Sequence, residues 1–596
     1  MRSDGGPCDT ESITIENRST HVSEHQDRHG GRAEVSATSR RLAEIIDAEW
    51  TWREAEFGSM SQRASVVDFL PDVSEKAQLR RRQMWEKTLG ELDALNTEDL
   101  SADKKVDFDV YHQQLSTLVE AQRNRMWERP ATADSAFWRS MAFDAYRLVL
   151  EDAESARAYL RMLGDIPRYF DQQIENMRAG VARGFGPARV CMSGREEPVR
   201  VIAEAEEVTE LSFFGPFRRI PPVVPEQVRT ELHEAAAQVL STEVVPAYRK
   251  LLDFLTTEYL PNLPEPIAAV DQPGGLEFYR SQIREYSTTE LSPQQIFDIG
   301  QVEVKKIREE MDDVAAELGY PGDLPGLFEF MRTSPHFYAT TKRQLLAEAA
   351  YTCKAFDRVV HQYFGRLPQQ RFAIMETPAE IAKFDTFGRG APDRYLLNTY
   401  NLPARPLYSL PSLTLHESAP GHSFQISLAE ELELKDFRRL YISAFGEGWG
   451  LYTERLGDEM GMYETPFERM GMLSFQMWRA VRLVVDPGMH ALGWSREQAQ
   501  DFLRENTAIA EHEIVTEIDR YISWPGQATA YYLGQLTIQQ LRQEAEETLG
   551  EDFSIRDFHD TVLGMGSVPL TVLQAHVRAY IRAAVAKRQT QAAAGH

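Results

Sequence analysis

From about residue 39 almost to its end, the chain repeats one pattern: apolar residues three and four positions apart. In SRRLAEIIDAEWTWREAEF the stripe is Leu42, Ile45, Ile46 and Trp50. Residues 103–128 and 151–182 read alike. Residues 225–255 set Val228, Leu232, Ala235, Val239 and Leu240 on one face, and Pro246 is expected to kink or break that helix. Residues 291–319 open on Ser292-Pro293 and close near Gly319, with Glu303, Lys306 and Glu310 on an expected solvated face. Strand-like stretches are scarce: RFAIMETP (371–378), DRYLLNTY (393–400) and PLYSLPSL (406–413). The reading is a mostly α-helical body with a small β-sheet. It spans residues 39–585, with a soft lobe boundary where Pro and Gly cluster at 261–275. A polar, disordered tail (1–38) and a flexible one (586–596) are expected to flank it. His21, His25 and His29 of the first tail read as chance histidines.

Composition narrows the function. Hydrophobic residues make up 42% of 596, ample for a large core. The formal charge of -26, without a basic patch, argues against nucleic acid as a partner. Cys8, Cys191 and Cys353 are widely spaced and form no disulfide framework. No secretory signal and no membrane-length apolar run is visible, so a cytoplasmic, soluble protein without a membrane partner is expected.

The stretch LHESAPGHSFQISL (415–428) carries the chemistry. Zinc takes neutral imidazoles and a carboxylate and, where it is catalytic, keeps one position open for water. Two histidines four apart on a helix, with Glu after the first, meet that need. Here His416 and His422 are six apart, roughly 240° of helical rotation, and would face away from each other on a regular helix. Pro420-Gly421 supplies the interruption that lets His416, Glu417 and His422 converge. A third ligand is sought in SAFGEGWGLYTERLGDEMG (443–461), where Glu447 and Glu454 lie two turns apart on one face. Glu447 is the expected ligand of the single zinc ion, with Glu454 behind it or as the alternative. Pairs such as His233-Glu234 and His512-Glu513 read as surface residues.

HESAPGH, FGEGWGLYTERLG, WRAVRLVVDPGMHALGWSREQA, IDRYISWPGQATAYYLGQL and RDFHDTVLGMGSVPL, in that order, resemble the domain of unknown function 885 family over about residues 40–585. That family is similar to helical zinc peptidases of the thimet oligopeptidase, carboxypeptidase Taq and angiotensin-converting enzyme type. The resemblance implies a zincin-like architecture, with lobes around a channel and short peptides as substrates. The uninterrupted HExxH of those enzymes is replaced here by the longer HESAPGH.

The expected activity is hydrolysis of a peptide or other amide bond. Glu417 is the general base, and a structural zinc site would have no use for it. The tetrahedral oxyanion needs a hydroxyl or a cation. Tyr531 and Tyr532 offer hydroxyls, and the resemblance favours Tyr531. Arg520, Tyr521, Gln527 and His559 are candidate substrate contacts, and Arg394 and Asn398 weaker ones. Arg479, Arg482 and Asp486 read as a buried ion-pair network. The alternatives are an amide hydrolase acting on a small metabolite or natural-product intermediate, and a non-catalytic helical metal-binding protein. A di-iron site is disfavoured, because no Glu stands three residues before any His. GxSxG and phosphate-loop patterns are missing.

Overall fold

The computed structural model describes residues 36–58, 68–383, 386–509 and 511–594. The tail histidines and Cys8 lie outside them. The chain is 73% helix with one three-stranded sheet. No helix among the described residues is long and apolar enough to cross a membrane.

Capping chemistry sets many helix starts. Helix α1 (Ala37–Phe57) begins where the Ser36 side chain accepts from the Ser39 N–H at 3.0 Å. Helix α2 (Ala102–Arg123) is capped by Ser101 and α3 (Ala153–Ala182) by an Asp152–Ser155 capping box. The next helix does not end at Pro246. It runs from Glu226 through a π turn at Leu240–Val244 and on through Val245–Phe254. The wider turn accommodates the proline's missing N–H. Helix α4 (Pro293–Glu317) has Ser292 as N-cap and Gly319 at positive φ just beyond its end. Its Glu303 and Glu310 are not simply solvated: Glu303 accepts from Tyr532 at 3.3 Å and Glu310 pairs with Arg455.

Strands β1 (Ala373–Glu376), β2 (Gly388–Ala391) and β3 (Arg394–Leu397) lie in the order β1-β3-β2, with β1 parallel and β2 antiparallel to β3. β2, sequence GRGA, has no β-branched residue to announce it. PLYSLPSL is not a strand. It becomes a 3-10 turn and then α5 (Leu410–Glu417), with Pro411 in the first turn where a missing N–H does no harm. Then follow α6 (His422–Glu431), α7 (Ser443–Glu459), α8 (Pro466–Ala491), α9 (Glu511–Ser523), α10 (Ala530–Leu549) and α11 (Ile555–Leu563). The last helix, Leu570–Ala594, carries helix-favouring Gln and Ala through the expected flexible end.

Most buried apolar residues between Ala131 and Leu263 pack around a core of their own, while Ala133, Phe185, Ala188 and Cys191 belong to the larger one. The larger core joins α1, α2 and the Glu75–Asp93 helix to most of the chain from Ala269 onward, and a third small core lies under the sheet. Helices α7 and α10 cross with their backbones almost touching. A Cβ at Gly448 would lie 2.5 Å from the Gly534 Cα, and one at Gly534 would lie 1.9 Å from the Ala444 oxygen. Two glycines therefore fix how closely the segment bearing Glu447 meets the segment bearing Tyr531.

Candidate metal centre

Helix α5 ends at Glu417 and α6 starts at His422, so the two histidines stand on separate helices. Hydrogen bonds six residues apart bridge the break: Gly421 N–H to Leu415 O at 2.9 Å, and Phe424 N–H to Ser418 O at 3.1 Å. The Ala419–Pro420 peptide is cis. A Cβ at Gly421 would fall 1.9 Å from the His416 oxygen, so only glycine fits that position. Trp449 of α7 ties the break down by donating to Pro420 O at 2.8 Å.

His416, His422 and Glu447 each offer a ligand atom, and these atoms lie within 4.8 Å of one another. Glu447 Oε2 is 3.4 Å from His416 Nε2 and 3.5 Å from His422 Nε2. Glu454 stands on the other side of His416, its Oε1 2.7 Å from Nδ1. It is wholly buried, and Ser412 donates to its Oε2 at 3.0 Å. Glu447 is therefore the carboxylate that shares a ligand position with both histidines, while Glu454 orients one of them. Gly450 makes room: a Cβ there would press 2.8 Å from the His416 ring. His422 Nδ1 is buried without a partner.

The charges are poised for a cation. Burial alone would lower the His416 pKa, but Glu447 and Glu454 outweigh it and push it up to about 10. Burial would raise that of Glu447, but His422 and His416 hold it well below the usual carboxylate range. Two imidazoles and a carboxylate are a donor set that fits zinc, and a divalent ion would take the place of a proton between them.

Glu417 stands apart from its neighbours. Residues 408–425 are buried except Glu417, which is partly exposed. Its Oε2 accepts from the Gly390 N–H of β2 at 2.7 Å, and a Cβ at Gly390 would collide with the Glu417 oxygen at 2.0 Å. The structure adds Tyr441, which sequence reasoning missed and which donates to Glu447 Oε1 at 2.8 Å. Glu447, Tyr531 and Glu417 are all within electrostatic reach of it.

The other candidates divide. Tyr531 is partly buried, its hydroxyl 3.5 Å from Arg520 Nη2 and its ring under Arg482 at 4.6 Å. Arg520 also donates to Gln527 Oε1 at 2.7 Å, so these three form one group. Tyr521 is buried inside α9, donating to Glu517 at 2.6 Å and accepting from Trp478 and Arg482. His559 is fully buried between the Tyr452 hydroxyl and Tyr363 O, each at 2.8 Å, and burial draws its pKa down to about 3. Both act inside the fold rather than on a substrate. Asn398 is buried, donating to Ala382 O, and Arg394 pairs with Asp393, so neither presents a template. Asp486 takes no arginine. It accepts from Tyr279 at 2.5 Å and from the Gly526 N–H, and burial raises its pKa to about 7. Arg482 pairs instead with Glu517 at 3.2 Å.

Fold and site together define a mostly helical protein in which two histidines from either side of a helix break meet a carboxylate from the next helix. Residues 55–577 match the family described as bacterial protein of unknown function, DUF885, and the chain belongs to it. No curated protein matches the chain. A solved structure described as a "putative lipoprotein" from Colwellia psychrerythraea is 25% identical, covers 92% of this chain and 100% of its own, and superposes with a TM-score of 0.84. Another, described as a "putative lipoprotein of unknown function" from Shewanella oneidensis, is 16% identical over 91% of this chain and 99% of its own, with a TM-score of 0.63, and shares the fold.

Proposed function

We propose that the protein is a zinc-dependent hydrolase of peptide bonds, or of closely related amide bonds, in short substrates. The observation that carries the proposal is the convergence of His416, His422 and Glu447, with the partly exposed Glu417 next to a ligand. The Glu454 carboxylate on His416 Nδ1 supports it, since metal-bound imidazoles ordinarily keep such a partner. Zinc held by those three residues would acidify a bound water and polarise the scissile carbonyl.

Glu417 takes a proton from the attacking water and delivers it to the leaving nitrogen. The Gly390 N–H holds one oxygen of that carboxylate in place. Tyr531, with Arg520 beside its hydroxyl, donates to the oxyanion. The likeness to helical zinc peptidases belongs to this reading, with the broken HESAPGH in place of their continuous helix. For the compartment, a cytoplasmic location stands against the description of both solved neighbours as lipoproteins, and cell fractionation decides between them.

The test is metal content by elemental mass spectrometry on wild type and His416→Ala. One zinc per chain, lost in the variant, is the expected result. A protein that holds no zinc even when zinc is supplied would overturn the reading.

A further inference from the structure

Beside the metal centre, three guanidinium groups crowd together. Arg479 and Arg482 lie on α8 and Arg520 on α9, all within reach of the Glu517 charge. Arg482 Nη2 is 3.2 Å and Arg520 Nη1 3.4 Å from Glu517 Oε2. Arg479 Nη2 is 3.8 Å from Glu454 Oε1, the oxygen already engaged by His416. Three cations thus face two carboxylates, one of them shared. The exposed Asp134 is a further acid in reach of Arg520.

Each arginine keeps a buried N–H without an acceptor: Nε of Arg479, Nη1 of Arg482 and Nε of Arg520. Arg479 is 7% and Arg482 3% exposed. Buried donors left unpaired are costly and rare, and three in one cluster mark a place that an acceptor fills. The planes are held ready: Arg479 lies over Phe475 and Trp478, and Arg482 over Trp478 and Tyr531. Glu517, Arg520, Trp478 and Tyr531 are partly exposed, so the cluster opens outward. Tyr531 joins it to the centre, since it also lies within electrostatic reach of Tyr441, which holds Glu447.

We propose that Arg479, Arg482 and Arg520 bind the free carboxylate of the substrate, so that the enzyme acts on short peptides or acylated amino acids cleaved close to a carboxyl end. The substrate half rests on the hydrolase reading, whereas the anion site stands on the arginines alone. A planar fork suits a carboxylate bidentately, and the unpaired N–H of each arginine is a donor that such an acceptor would satisfy.

The test is calorimetric binding of an N-acetylated dipeptide and of its amide to zinc-supplied Glu417→Gln protein, with inorganic phosphate as competitor. The acid is expected to bind about tenfold or more tightly than the amide. Arg482→Lys and the less buried Arg520→Gln are each expected to erase most of that ratio while zinc content holds. Equal binding of acid and amide, an unchanged ratio in both variants, or phosphate binding as tightly as the acid would overturn the proposal. The metal-free His416→Ala protein separates the two readings. A ratio that survives there excludes a carboxylate bound only by zinc, and a ratio lost there overturns the arginine site. A ratio in wild type that holds no zinc removes the hydrolase and keeps the anion site.

Discussion

Glu417 and Glu454 are both carboxylates beside His416, and environment alone divides their work. Glu454 is sealed from solvent, with one oxygen on the imidazole and the other on Ser412. Glu417 reaches the surface with one oxygen fixed by a backbone N–H. Glu417→Gln is therefore expected to keep its zinc and lose about 10²–10⁴-fold in turnover. Full activity in that variant would remove Glu417 as base. Glu454→Gln keeps the shape but weakens the hold on His416, and zinc affinity by competitive chelator titration should fall about 10–100-fold. Glu447→Ala should lose the ion altogether, and the order of the two variants in metal content tests the assignment of ligand and supporter.

Around the site, glycines set how closely the elements approach. In FGEGWG, Gly446 makes room for the Tyr441 ring, Gly448 for the backbone of α10 and Gly450 for His416. Gly448→Ala forces α7 and α10 apart and is expected to cost about 1–3 kcal/mol, read as a lower urea midpoint. Gly90 is the contrast: it lies exposed inside the Glu75–Asp93 helix and a Cβ there meets nothing within 4 Å. Gly90→Ala should add about 0.5–1 kcal/mol. Equal effects of the two substitutions would show that the close crossing carries no packing energy.

Across the whole molecule, buried histidines join segments far apart in sequence. His559 of α11 bonds Tyr452 of α7 and the Tyr363 carbonyl, and stacks on Phe364. Its folded pKa of about 3 lies below the ordinary 6.5, so the unfolded chain takes up the proton first. The stability it contributes is complete above pH 6.5 and is lost as pH falls toward 3, at up to about 1.4 kcal/mol per pH unit. His559→Gln cannot titrate there. The stability gap between wild type and this variant, from urea unfolding at several pH values, should narrow by that slope on acidification. A constant gap would mean that the histidine is not held neutral by the fold.

What the sequence determined by itself was local. Helical periodicity, capping residues and the Pro-Gly interruption of HESAPGH act over a few neighbours, so most helices, the break and the meeting of His416 with His422 could be read from spacing. Glu447 and Glu454 could be placed on one face because seven residues make about two helical turns. The tertiary structure decided everything that depends on a neighbour distant in the chain. The β2 strand exists through its pairing with β3, which sets Gly390 against Glu417, and nothing in GRGA announces it. Tyr441 reaches Glu447 from beyond the start of its helix, His559 and Tyr521 turn inward, and Asp486 meets a tyrosine instead of an arginine. Burial and pairing arise from packing between segments remote in the chain, and residue type alone does not encode them.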